Sequence, residues 1–143
     1  AGRPYHTDPL INHDLSGMFT RRGIPVLTVD SLPGLEKADL RRSRVEITND
    51  FHARMLSGAM VTAEQPCLEY VQIVSFGCGH DAILSDEIIR LLGEGSGKPP
   101  LILKVDESEG LSASGSSPLL RRYSCAALPR RSRRPAACRS PTR

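Results

Sequence analysis

Tryptophan is absent and aromatic residues make up only 4% of the 143-residue chain, so a core has to be built from Leu, Ile, Val and Ala. Little material is left for stacking nucleobases. No apolar run reaches the roughly 20 residues that a membrane helix needs, and no basic-then-apolar leader opens the sequence, so the chain reads as cytoplasmic with no membrane partner. The four cysteines, Cys67, Cys78, Cys125 and Cys138, form no short-spaced pair, which argues against a zinc finger or a dense disulfide framework. Walker, HExxH and GxSxG motifs are missing, and Gly77-Cys78-Gly79 lacks the third glycine of a dinucleotide fingerprint. The length suits one domain of ordinary size.

Acidic residues are missing from one stretch altogether. Residues 1–110 carry 11 Lys and Arg against 16 Asp and Glu, whereas residues 111–143 carry 8 Arg and no acid, so the formal charge of +3 averages an acidic body and a basic tail. The tail also has no Val, Ile, Met or Phe, and such a composition buries too little apolar surface to offset its ordering entropy. Residues 110–143 therefore read as a disordered Arg/Ser/Pro-rich segment, either a plain tail or the product of a frameshift in GC-rich codons. A basic arm for nucleic acid is the third reading, and the acidic body argues against it.

Residues 1–109 carry the periodic signals. The sequence opens on Ala1 with no strand ahead of a loop-like motif, which reads as a start inside a larger protein with one strand missing. Asp8-Pro9 suits a helix start, Ile11, Leu15, Met18 and Phe19 follow helical spacing, and Gly23 suits a stop, predicting a helix over 9–22. A β-rich run at 25–30 predicts a strand. Phe51, Met55 and Ala59, flanked by Leu56 and Met60, predict a helix over 46–63. The apolar run 68–76 predicts a buried strand, Leu84, Ile88, Leu91 and Leu92 a further helix, and 101–105 the last strand.

This alternation predicts an α/β fold: a parallel sheet of three to four strands with helices on both faces, resembling half of a flavodoxin or Rossmann fold. Ligands of such sheets bind outside the carboxyl ends of the strands. Four loops are expected to share that edge: 2–8, 30–34, 77–81 and 106–109.

Cys78 is the most informative residue of those loops. Flanking Gly77 and Gly79 let a bulky group approach the backbone, and the following helix N-terminus favours a thiolate, so Cys78 suits a nucleophile, a redox centre or a metal ligand; the alternative is a spectator in a tight turn. Arg3, Tyr5 and His6 form a donor-rich loop fit for a phosphate or carboxylate, with a structural salt bridge through Arg3 as the alternative. Asp81 is most simply a helix cap, His80 a solvated neighbour, and Asp106, Glu107 and Glu109 solvated acids.

Taken in order, Gly2-Arg3-Pro4-Tyr5-His6 with Asp8-Pro9 and Ile11-Asn12-His13, Val26-Leu27-Thr28 with Asp30-Ser31, Phe51-His52-Ala53-Arg54, Ser75-Phe76-Gly77-Cys78-Gly79 with Asp81-Ala82, and Lys104-Val105-Asp106-Glu107 resemble the large acyl-CoA dehydratase activase-related proteins. These are relatives of the activator of (R)-2-hydroxyglutaryl-CoA dehydratase, and the resemblance covers residues 1 to about 109. It implies low-potential electron transfer through an iron-sulfur cluster in anaerobic metabolism, within a region similar to the cluster-bearing dehydratase subunits. By that analogy Cys78 is a cluster ligand, with Arg3, Tyr5, His6, Gly77, Gly79 and Asp81 around the cofactor. The expected partners are the other domains of a parent chain and an acyl-CoA dehydratase. The family's ATP-binding lobes have no counterpart here, so no ATPase activity is expected. Cluster binding takes several thiolates; Cys67 is expected to pack and Cys125 and Cys138 fall in the tail, so an incomplete ligand set is expected. The alternative is a non-catalytic α/β docking module with a structural Cys78.

Overall fold

A computed structural model describes residues 1–75, 79–106 and 110–112. Three α-helices and three strands form around a small sheet: α1 (Leu15–Arg21), α2 (Asp50–Glu64), β1 (Val71–Ser75), α3 (Gly79–Gly95), β2 (Leu101–Asp106) and β3 (Gly110–Ser112). β1 and β2 pair in parallel, Val71 opposite Leu101 through Ser75 opposite Val105, with α3 as the crossover between them. β3 runs antiparallel to β2, Lys104 opposite Ser112, so three residues of the segment assigned to the tail belong to the sheet. The sheet is thus mixed, with one parallel pair, where three to four parallel strands were expected.

Ala1 adds to the other edge of β1. Its amine donates to the Val71 carbonyl at 2.7 Å, and its carbonyl accepts from the Ile73 amide at 2.8 Å. Two such bonds straddling Gln72 are the signature of parallel pairing. Ala1 therefore pairs with β1 as a single strand-like residue on the edge opposite β2.

Side-chain alternation along β1 divides the core. On one face Tyr70 packs with Met55, Leu56, Ala59 and Met60 of α2 and Leu84, Ile88, Leu91 and Leu92 of α3. On the other, Ile73, Leu101 and Leu103 pack with Leu15, backed by Met18 and Phe19 of α1. Helices lie against both faces, and the expected stripe of α3 is buried residue for residue. On α2 Met55, Leu56, Ala59 and Met60 of the expected stripe are buried, while Phe51 is exposed and His52 is buried in the first turn.

Two expected elements are corrected. The helix predicted over 9–22 is confined to Leu15–Arg21, because Asp14, in the left-handed region at φ 52°, caps it by accepting the Gly17 amide at 3.2 Å. The Asp8 carboxylate instead accepts the Leu10 amide two residues on at 2.9 Å, closing a turn instead of starting a helix. The strand predicted over 25–30 does not form: the backbone is extended to Thr28 and then makes a 3₁₀ turn, Val29–Ser31. A run of β-formers becomes a strand only with a ladder partner, and this one is flanked by Pro25 and Pro33 and drawn inward only at Val29. Val26 and Leu27 stay exposed.

The charged stretch 35–44 and the residues after it pack on the core. The stretch makes two single 3₁₀ turns, Leu35–Lys37 and Leu40–Arg42, and Ala38, Leu40, Val45 and Ile47 lean on the α2/α3 core. Buried Glu87 of α3 holds this segment by accepting the Arg44 amide at 2.8 Å. Arg90 bonds Glu87 at 2.6 Å and the Arg42 carbonyl at 2.8 Å, and its guanidinium keeps the Glu87 carboxyl below the usual carboxylate range.

Candidate functional site

The parallel pair directs the chain so that β1 ends at Ser75 and α3 begins at Gly79, both at the carboxyl edge of the sheet. Asp81, in the first turn of α3, turns its buried carboxylate back onto β1. One oxygen accepts the Ser75 amide at 3.2 Å and the Ser75 hydroxyl at 3.3 Å, while the other accepts from Arg3 Nε at 3.1 Å. Asp81 was expected as a helix cap, whereas its observed bonds tie α3 to the end of β1 and to the N-terminal loop. The same contact gives Arg3 the salt bridge that stood as the alternative to anion binding.

His6 lies in the 3₁₀ turn Pro4–Thr7 and is buried. Its Nδ1 is 2.6 Å from the Arg3 carbonyl and its Nε2 is 3.4 Å from Asp30 Oδ2. Buried Asn12 donates to the His6 carbonyl at 2.7 Å and braces the loop from behind. Asp30 takes a second partner from α2, Arg54 Nη1 at 2.8 Å. Two residues earlier on α2, His52 is buried with Nδ1 3.1 Å from Thr48 Oγ1, and its ring centroid is 6.0 Å from that of exposed His80. Burial holds the His52 imidazole below the ordinary histidine range; the Arg3 charge and His80 push the same way, and Asp81 opposes them.

Three of the four loops expected at this edge therefore meet: 2–8 through Arg3 and His6, 30–34 through Asp30, and the start of α3 through Asp81. Residues 107–109 of the fourth lie outside the described residues, as do Phe76, Gly77, Cys78 and the Tyr5 side chain; Gly79 is exposed at the head of α3. His52, Arg54 and Ser75 join the cluster without having been singled out, although each stands in one of the sequence blocks quoted above. A shallow concavity of about 450 Å³ lies beside it, lined by Arg3, Pro4, Asp8 and Ile11.

An iron-sulfur cluster needs converging thiolates. Among the described residues no three His, Cys, Asp or Glu side chains gather as a metal site. Cys67 is exposed instead of packed and precedes β1 in the chain. The described residues do not amount to a cluster site. What they build is a charge-balanced cluster: two arginines on two aspartates, with three histidines around them.

No protein-family model matches the chain, and no curated protein or solved structure matches it.

Proposed function

We propose that the chain is the α/β module of an iron-sulfur redox protein related to the acyl-CoA dehydratase activases, with Cys78 as one anchoring ligand at the carboxyl edge of the sheet. The supporting observation is that four blocks carrying the resemblance, distant in sequence, contribute residues in mutual contact. Arg3 of the first bonds Asp81 of the fourth, His6 of the first faces Asp30 of the second, and Arg54 of the third bonds Asp30. The remaining ligands come from outside the described residues. A low-potential role in anaerobic metabolism, an acyl-CoA dehydratase as partner and a cytoplasmic location belong to the same reading, as does a flavodoxin-like sheet of three or more parallel strands.

The test is anaerobic reconstitution of the full chain with iron, sulfide and excess dithiothreitol, whose thiolates can complete a coordination sphere. Bound iron and a low-potential paramagnetic signal on reduction are expected, both lost in Cys78→Ser and both kept in Cys67→Ser. Equal iron in the original chain and in Cys78→Ser overturns the reading. A docking module with a structural Cys78 would then stand, favoured by one feature of the cluster: Arg3 and Arg54 are each already engaged by a carboxylate of the same chain.

A further inference from the structure

The buried imidazole of His6 makes two contacts whose chemistry is not symmetrical. Nδ1 lies 2.6 Å from the Arg3 carbonyl oxygen, which can only accept, so Nδ1 carries a hydrogen. Nε2 is fully enclosed, its side chain is 7% exposed, and it has no hydrogen-bond partner among the described residues. Its nearest polar neighbour is Asp30 Oδ2 at 3.4 Å. A neutral ring with its hydrogen on Nδ1 therefore sets a bare lone pair beside a carboxylate. A protonated ring sets a cation at ion-pair distance from it, without the alignment of a hydrogen bond.

We propose that His6 and Asp30 form a proton-operated latch: when Nε2 is protonated it holds the N-terminal loop, residues 3–8, against the Val29–Ser31 turn and α2, and when Nε2 loses its proton the loop is released. The charged groups around the ring agree with this assignment. Asp30 is the acid facing it, Arg54 of α2 binds the far oxygen of Asp30 and keeps that carboxylate in place, and the Ala1 amine also senses Asp30. Arg3 contributes its carbonyl to Nδ1 and its guanidinium to Asp81, so the loop that the latch holds is the one that reaches the start of α3. Release therefore loosens the Arg3 side of the candidate site without touching the hydrophobic core, whose clusters do not include His6. Only protonation and contact are involved, and the inference does not rest on the redox reading.

Nitrogen-15 spectroscopy of the His6 ring in the full chain tests the first half of the argument. At alkaline pH the hydrogen of the neutral ring is expected on Nδ1, the less common tautomer; finding it on Nε2 overturns the latch. Amide-exchange protection factors test the second half. Protection of residues 3–8 is expected to fall about fivefold as the ring loses its proton, the upper end for an ion pair whose carboxylate is 40% exposed. In Asp30→Asn that pH dependence disappears, and in His80→Gln it persists, which separates the latch from titration of the neighbouring imidazole. A flat profile in the original chain, or one unchanged in Asp30→Asn, overturns the proposal. Iron binding enters neither readout, so failure of the latch and failure of the redox reading are told apart.

Discussion

Single buried groups set how this fold responds to pH. Burial pushes the Ala1 amine down to about 5 from its ordinary 8.0, against a small opposing pull from Asp30, and His52 is lowered as well. Both groups lose a favourable hydration of their charged forms on folding, so the unfolded chain binds their protons more tightly. Stability from these two groups is present above their unfolded values and is lost as the pH falls. For a chain that begins at Ala1, each pH unit between 8 and 5 costs about 1.4 kcal/mol through the amine, on the order of 4 kcal/mol in all. Urea unfolding at pH 8.5 and 5.5 is expected to show this loss, and acetylation of Ala1 to remove most of it, leaving the smaller His52 contribution. Equal slopes for the free and acetylated chains would assign the pH dependence elsewhere. Gln72 belongs to the same scale: it is fully buried on β1 and its side-chain amide has no partner among the described residues, a desolvation cost with no compensating bond seen there.

At the scale of elements, close approach matters as much as propensity. Gly58 sits mid-helix in α2, where alanine would ordinarily gain about 1 kcal/mol. A β-carbon there would lie 2.8 Å from Val29 Cγ2, and valine is branched at Cβ and has little rotamer freedom to yield. Gly58→Ala is therefore expected to destabilise the chain, by about 1–2 kcal/mol net, measured as a lower urea midpoint with unchanged slope. A Gly58→Ala protein more stable than its parent would mean that the Val29 turn moves away at little cost. The same contact explains the fate of the 25–30 run. Its β propensity was legible, but Val29 is claimed by the groove over Gly58 and Asp30 by His6 and Arg54, and no strand among the described residues offers it a ladder. The helix predicted over 9–22 is shortened at its start for a local reason that was also hard to read. Asp8 and Asp14 are equally good caps by residue type, and only the left-handed backbone at His13 and Asp14 decides between them.

Across the whole molecule the two faces of the sheet are unequally covered. α1 is seven residues long and its only fully buried residue is Leu15, whereas α2 and α3 bury long stripes against each other and Tyr70, whose hydroxyl donates to the Met55 carbonyl at 2.8 Å. Burial at this scale decides which layer opens first. Native-state amide exchange is expected to give α1 protection at least about tenfold below that of α2 and α3, a difference of about 1.4 kcal/mol in opening free energy. Equal protection would make the two layers one cooperative unit.

The α3 stripe, parallel strands within 68–76 and 101–105 and the meeting of three distant loops at one sheet edge were written in the sequence. Each depends on periodicity or on β/α alternation, and these are properties of neighbours along the chain. The partners within that edge were not legible. Whether Arg3 meets an anion or Asp81, whether Asp81 caps its own helix or reaches back to Ser75, and whether Asp30 ends a strand or faces His6 are choices among side chains 6 to 78 positions apart. Local spacing carries no information about such pairs. Packing of α2 and α3 against β1 brings them within hydrogen-bonding distance, and the cost of leaving buried charges unpaired then selects the contacts that form.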